Sequence, residues 1–174
     1  MNKLTENKKG FVLAIVVILV LSLTRLMPHP WNFSPMLAVG VFSGFYLRQF
    51  YLSLFVIIFS MFIGDLFLGF HNTMFFTYIA LAVAVAIGLS IKRFKFKEVL
   101  YSSLASSVCF FIITNFGAWL TLEMYVKNFS GLMQSYVMAI PFFHNTLIST
   151  FLYLFLFKLV FDLAIKKKIF KSSF

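Results

Sequence analysis

Residues 10–23 read GFVLAIVVILVLSL, and no side chain among them carries a charge. The same holds for YLSLFVIIFSMFIG at 51–64 and MFFTYIALAVAVAIGLSI at 74–91. A helix needs roughly 17–25 apolar residues to cross a hydrocarbon core of about 30 Å, so runs like these admit few folds. Strand alternation is missing, and helices satisfy their own backbone hydrogen bonds in lipid. Composition points the same way: of 174 residues, 61% are hydrophobic and 11% charged, against about 25% charged in an ordinary soluble domain. The predicted class is an all-α integral membrane protein.

Prolines, glycines and charge clusters divide the chain into six expected helices, at about 10–27, 35–47, 51–68, 74–91, 99–122 and 132–165. Pro28 and Pro30 stop the first, and Pro35 suits the opening turn of the second, which is short for a span. GFHNT, KRFKFK and EMYVKNFSG separate the later ones. The sixth is too long for one straight span and contains Pro141, which predicts a kink or break there. The apolar run after MNKLTENKK imitates a secretion signal, but no small-residue cleavage site follows, so it reads as a retained helix. No soluble domain or linker interrupts the chain, which makes 1–174 a single membrane domain.

A net charge of +10 would suggest nucleic acid in a soluble protein. Here the positions of the charges argue otherwise. With the N-terminus cytoplasmic, Arg25 and Lys127 are the only two of the 15 lysines and arginines left on the outer side. No segment interleaves basic and aromatic residues on a polar surface, so nucleic acid is rejected as a partner and the basic rim is assigned to anionic membrane lipid. The expectation is a six-transmembrane-helix bundle with both termini on the cytoplasmic side and three hairpin loops outside. The single cysteine, Cys109, lies in an apolar run and offers neither a disulfide nor a paired-thiol metal motif.

An ionisable group costs about 2.5–3.5 kcal/mol at the centre of a span on insertion scales, so the polar residues are informative. Glu6, Glu98 and Asp162 fall on the cytoplasmic side and Glu123 in an outer loop; Asp65 alone among the acids lies within a predicted span. His29, His71 and His144 all fall at the outer end, as do Asn32, Asn72, Asn115, Asn128 and Asn145. Asn115 shares a helix face with Trp119, and Asn145 with Ser149. The carbonyl that Pro141 leaves unbonded adds an acceptor nearby. Together these predict a cavity open to the outside, walled by the third, fifth and sixth segments and roofed by TRLMPHPWNFSP at 24–35. The candidate ligand contacts are His29, Asn32, Asp65, His71, Asn72, Tyr78, Asn115, Trp119, His144 and Asn145.

Each has a plainer reading. Arg25 and Asp65 can form a structural ion pair, and Asn115 and Asn145 can be interhelical hydrogen-bond glue worth about 0.6–2 kcal/mol. Trp31, Trp119 and Tyr125 can be interfacial belt aromatics. Gly40 with Gly44, and Ala80 and Ala84 with Gly88, are helix-packing signatures first. No nucleophile motif occurs, and the histidines lie on three separate segments with no pair at i, i+4, so an enzyme and a metal-binding protein both rank lower. No catalytic residue, metal ligand or cofactor is assigned.

The motifs RLMPHPWNFSP, GDLFLGFHNT, TNFGAWL and AIPFFHNTL, in this order over nearly the whole chain, resemble DUF6580, a family of small bacterial membrane proteins without an assigned function. More distantly, the topology is similar to that of the S components of energy-coupling-factor (ECF) transporters, most of all the solitary ones for vitamin B12. That resemblance implies a site at His29, Asp65, Tyr78 and His144, a corrinoid as one candidate substrate, and a coupling module of a transmembrane subunit plus ATPases as a partner. The chain differs in two places: Thr73 stands in the region of the B12 group's cobalt-ligating cysteine, and Ala14 is followed four on by Ile18 instead of a second docking alanine. The expected function is capture of a small vitamin-like nutrient from the outer side. The alternative is a structural or assembly membrane protein whose polar network only holds helices together.

Overall fold

The computed structural model describes Val16 and residues 30–166. These residues form α1 (Met36–Leu47), α2 (Phe50–Leu68), α3 (Met74–Ser90), α4 (Phe96–Thr121) and α5 (Phe129–Lys166). Apart from Val16, the first expected helix at 10–27 lies outside the described residues, as do Arg25 and His29.

Three of the helices are long and apolar enough to cross a membrane: α2, α4 and the Phe129–Leu163 part of α5. Their exposed faces are continuous apolar stripes. On α4 the stripe is Leu100, Leu104, Val108, Ile112, Phe116 and Leu120, one residue per turn; Phe55, Phe59 and Phe62 form its counterpart on α2. Patches of this extent would drive association in water, and in a bilayer they face lipid. The protein is a multi-pass helical membrane protein.

At the centre lies α1, with 12 residues, about 18 Å at 1.5 Å per residue and too short to cross a bilayer. All of it except Tyr46 is buried, and it touches each of the other four helices. Its closest neighbour is α3. A methyl group added to Gly44 would lie 2.2 Å from the Val85 carbonyl oxygen, and one added to Gly88 would lie 2.0 Å from that of Val41. Two backbones therefore meet with no side chain between them. Lipid tails are as apolar as leucine, so helices in a membrane associate through close packing, which small residues permit.

At one end of this pair Arg48 takes a left-handed backbone (φ 55°) and ends α1. Its guanidinium rests over the Phe45 ring and donates to the carbonyls of Leu89 (3.0 Å) and Lys92 (3.4 Å). A cation is favourable on the exposed carbonyls of a helix C-terminus, so one side chain terminates α1 and caps α3. Lys92, Arg93, Lys95 and Lys97 cluster beside it, and we call this the basic end. Above them Phe42 stacks on Phe157 (4.8 Å) and Phe45 on Phe94 (4.7 Å), with Phe161 edge-on to both Phe42 and Phe45.

Hydroxyls fill much of the remaining interior. Ser102, Ser103 and Ser106 on α4 and Thr146, Ser149 and Thr150 on α5 are buried, each donating to a carbonyl three or four residues back. A hydroxyl that satisfies itself on its own helix lets α4 and α5 pack closely; Ser107 Oγ, buried on α4, is the exception and meets no partner among the described residues. Asn128 opens α5 by accepting the Gly131 N–H at 2.9 Å, a side-chain N-cap. Of the kink or break expected at Pro141, the break does not occur: α5 is one continuous helix of 38 residues with Pro141 inside it, and α4 packs alongside.

The α1–α3 contact predicts a sharp asymmetry between small substitutions. Gly88→Ala should destabilise the purified protein by about 1–3 kcal/mol, the range for an overpacked core, whereas Ala86→Leu on the exposed face of α3 should leave thermal unfolding in detergent unchanged.

Candidate ligand cavity

At the end opposite the basic cluster, α1 stops short and leaves a hollow of about 540 Å³. Its lining draws on every described helix: Met36 and Leu37 of α1, Met61 of α2, Thr77 and Leu81 of α3, Phe110, Thr114 and Asn115 of α4, and Thr146 of α5. Trp31, Asn32 and Ser34 close the top, and His71 and Thr73 line the side.

The lid is the segment 31–34, and its shape follows from its residues. Phe33 N–H bonds to the Pro30 carbonyl at 2.9 Å, closing a tight turn in which Asn32 adopts φ 59°. Asparagine tolerates this left-handed region better than most residues, so backbone geometry already accounts for Asn32. Three contacts fasten the turn to α5. Asn145 Nδ2 donates to the Trp31 carbonyl at 2.9 Å, the Trp31 ring meets Phe142, and Phe33 meets Tyr153.

Asn32, His71 and Asn115 line the cavity. Asn115 Nδ2 donates to the Phe111 carbonyl of its own helix at 2.8 Å, and His71 Nδ1 pairs with the Thr73 hydroxyl at 2.9 Å. Asn145 serves the cavity at one remove, as the lid's tether. Asp65 and Tyr78 form a separate pair: the phenol donates to Oδ2 at 2.7 Å across α2 and α3, with the carboxylate fully buried.

Three candidates are placed elsewhere. His144 is exposed, since it sits about 100° around the helix from Asn145. Trp119 donates its indole N–H to the Val126 carbonyl at 3.0 Å, in a corner where Lys127 Nζ also binds the carbonyls of Trp119 and Leu122; that commitment holds it to the α4–α5 loop. Asn72 is exposed in the α2–α3 turn. The walls also differ from the expectation of third, fifth and sixth segments only, because the central α1 forms the floor and α3 contributes Thr77 and Leu81.

Sequence reasoning missed the threonines Thr77, Thr114 and Thr146. The one available signal was spacing, Thr73 and Thr77 being one turn apart. Threonine is common in apolar helices as a self-satisfied residue, so that spacing does not discriminate. Among the described residues no group of three or more His, Cys, Asp or Glu is placed to hold a metal ion.

Asn145→Leu should release the lid at a modest cost of about 0.5–1.5 kcal/mol, the net worth of one hydrogen bond. Hydrogen exchange should show it: amides at 31–34 should exchange faster while those in the middle of α3 and α4 keep their protection.

A search of curated proteins finds no match to the chain. A search of solved structures finds none either. One family profile, described as a family of unknown function, matches residues 5–172, which is nearly the entire sequence. With that coverage, the chain belongs to the DUF6580 family.

Proposed function

We propose that this protein captures a small, vitamin-like organic nutrient from the outer side of the bacterial cytoplasmic membrane, in the manner of a transporter S component. The supporting observation is the cavity of about 540 Å³ under a tethered lid. Its volume is within the roughly 300–1,000 Å³ usual for small-molecule sites, and its mixture of apolar walls with a few hydroxyls and amides is the usual one. That size favours a compact molecule over a corrinoid, whose macrocycle and side arms make it far bulkier than a drug-sized ligand. On this reading the basic end faces the cytoplasm and anionic lipid. Release of the nutrient inward needs reorientation of the bundle, driven by an energising module or without one.

A structural role is the second reading, and a specific observation favours it. Asp65 with Tyr78, Asn115 with Phe111 and Asn145 with Trp31 are all hydrogen bonds within the bundle.

Ligand binding separates the two. Protein purified in mild detergent should release a small molecule detectable by mass spectrometry, and at least one compound in a vitamin panel should raise its melting temperature. Thr114→Phe, which fills the cavity, should abolish both effects while the empty protein still unfolds cooperatively. Absence of any retained molecule and any shift would leave the structural reading standing. Sidedness has its own measurement: in a Cys109→Ser background, Asn32→Cys should react with a membrane-impermeant maleimide in intact cells, and labelling only after lysis would invert the orientation.

A further inference from the structure

If the cavity holds a nutrient, as proposed above, its hydrogen-bonding groups restrict which chemistry fits. The threonines of the walls present acceptors. Thr77, Thr114 and Thr146 each donate their one hydroxyl proton to the carbonyl four residues back, at 3.3, 2.8 and 3.2 Å. What each has left for a ligand is lone pairs. Asn115 commits one Nδ2 proton to Phe111 and keeps its Oδ1 and its second Nδ2 proton, so with the threonines three helices carry acceptors that line the cavity.

The floor is the opposite. It is the amino-terminal turn of α1, whose Met36 and Leu37 line the cavity. Val39 N–H bonds to the Pro35 carbonyl at 2.8 Å, and Met36 N–H reaches the Ser34 hydroxyl at a long 3.4 Å. The N–H groups of Leu37 and Ala38 meet no acceptor among the described residues, although both residues are buried. Buried backbone donors are almost always paired, by protein, water or ligand. Leu37 lines the cavity, so its N–H there calls for an oxygen acceptor.

Charge decides which oxygen. The amino terminus of a helix carries about half an elementary positive charge, and no lysine or arginine lines the cavity among the described residues. A carboxylate or phosphate brings at least one full negative charge, and burying it against half a charge leaves its lost hydration uncompensated. A neutral carbonyl matches the floor without that penalty. Trp31 and Phe110 add flat aromatic faces to the same lining.

We propose that the ligand is an uncharged carbonyl compound of the amide, lactam or ureide class. Its oxygen points at the first turn of α1, and its N–H or O–H donors meet Thr77, Thr114, Asn115 and Thr146.

Matched pairs that differ only in charge test this on the full-length protein in detergent: nicotinamide against nicotinate, and pantothenol against pantothenate, with affinity read from thermal shift across a concentration series. The neutral member should bind at least about tenfold more tightly within any pair that binds. Thr114→Val, with Thr146→Val as a second variant should the first fail to fold, should weaken that member by about two- to tenfold. Equal or tighter binding of the acid overturns the inference and leaves nutrient capture intact. Unchanged affinity in the folded valine variants also overturns it. No shift from either member of either pair, together with no retained molecule, overturns both this inference and the function it rests on.

Discussion

The bundle depends on how closely α1 and α3 approach. At Gly44 and Gly88 each backbone occupies the space that a methyl group would need on the other, so the two helices act as one rigid pair. No hydrophobic force draws helices together inside lipid; the attraction is dispersion summed over many close atoms, and a gap of about 0.5–1 Å forfeits a quarter to a half of it. Arg48 secures the pair at the basic end, where it ends one helix and caps the other. With the pair fixed, the ring cluster around Phe42 and Phe45 can gather α5 against it.

The cavity follows from the same arrangement. Helix α1 has 12 residues where α3 has 17 and α5 has 38, and it is held in the middle of taller neighbours. Its missing length is the hollow. The lid covers that hollow because the chain ahead of Pro35 turns tightly at Asn32 and lies across the top, fastened by α5. Floor polarity has the same origin, since a helix that begins inside the bundle exposes the N–H groups that water would otherwise satisfy.

Much of this architecture was written in residues whose chemistry is strong. Pro35 and Gly69 stand at helix boundaries, Gly69 with φ 92° closing α2 through its bond to the Asp65 carbonyl. The small residues at 40, 44, 84 and 88 mark the seam that α1 and α3 form. Asn32, His71 and Asn115 were legible as cavity residues because amides and imidazoles are rare in apolar sequence. The rest was hidden for physical reasons. His144 lies away from the face of α5 that lines the cavity, and a sequence fixes helical phase only when its polar and apolar faces differ, which they barely do in a membrane; Trp119 shares a face with Asn115 but commits its indole to the α4–α5 loop. The threonines were overlooked because their hydroxyls look self-sufficient; only the structure shows on which side their lone pairs remain. Pro141 does not end a helix here, since α5 runs unbroken through it with α4 packed alongside.

The bond from Asn145 to Trp31 links residues 114 apart in the chain, and Thr146 beside it closes the last wall. Asn145 and Thr146 belong to α5, the last of the described helices in chain order. Until α5 is in place the hollow has no completed wall and its cover has no anchor, so the site is assembled last, after every other described helix exists. Occupancy by a ligand would therefore report on every described helix at once. A truncated or misinserted copy, however well its earlier helices pack, has nothing to close.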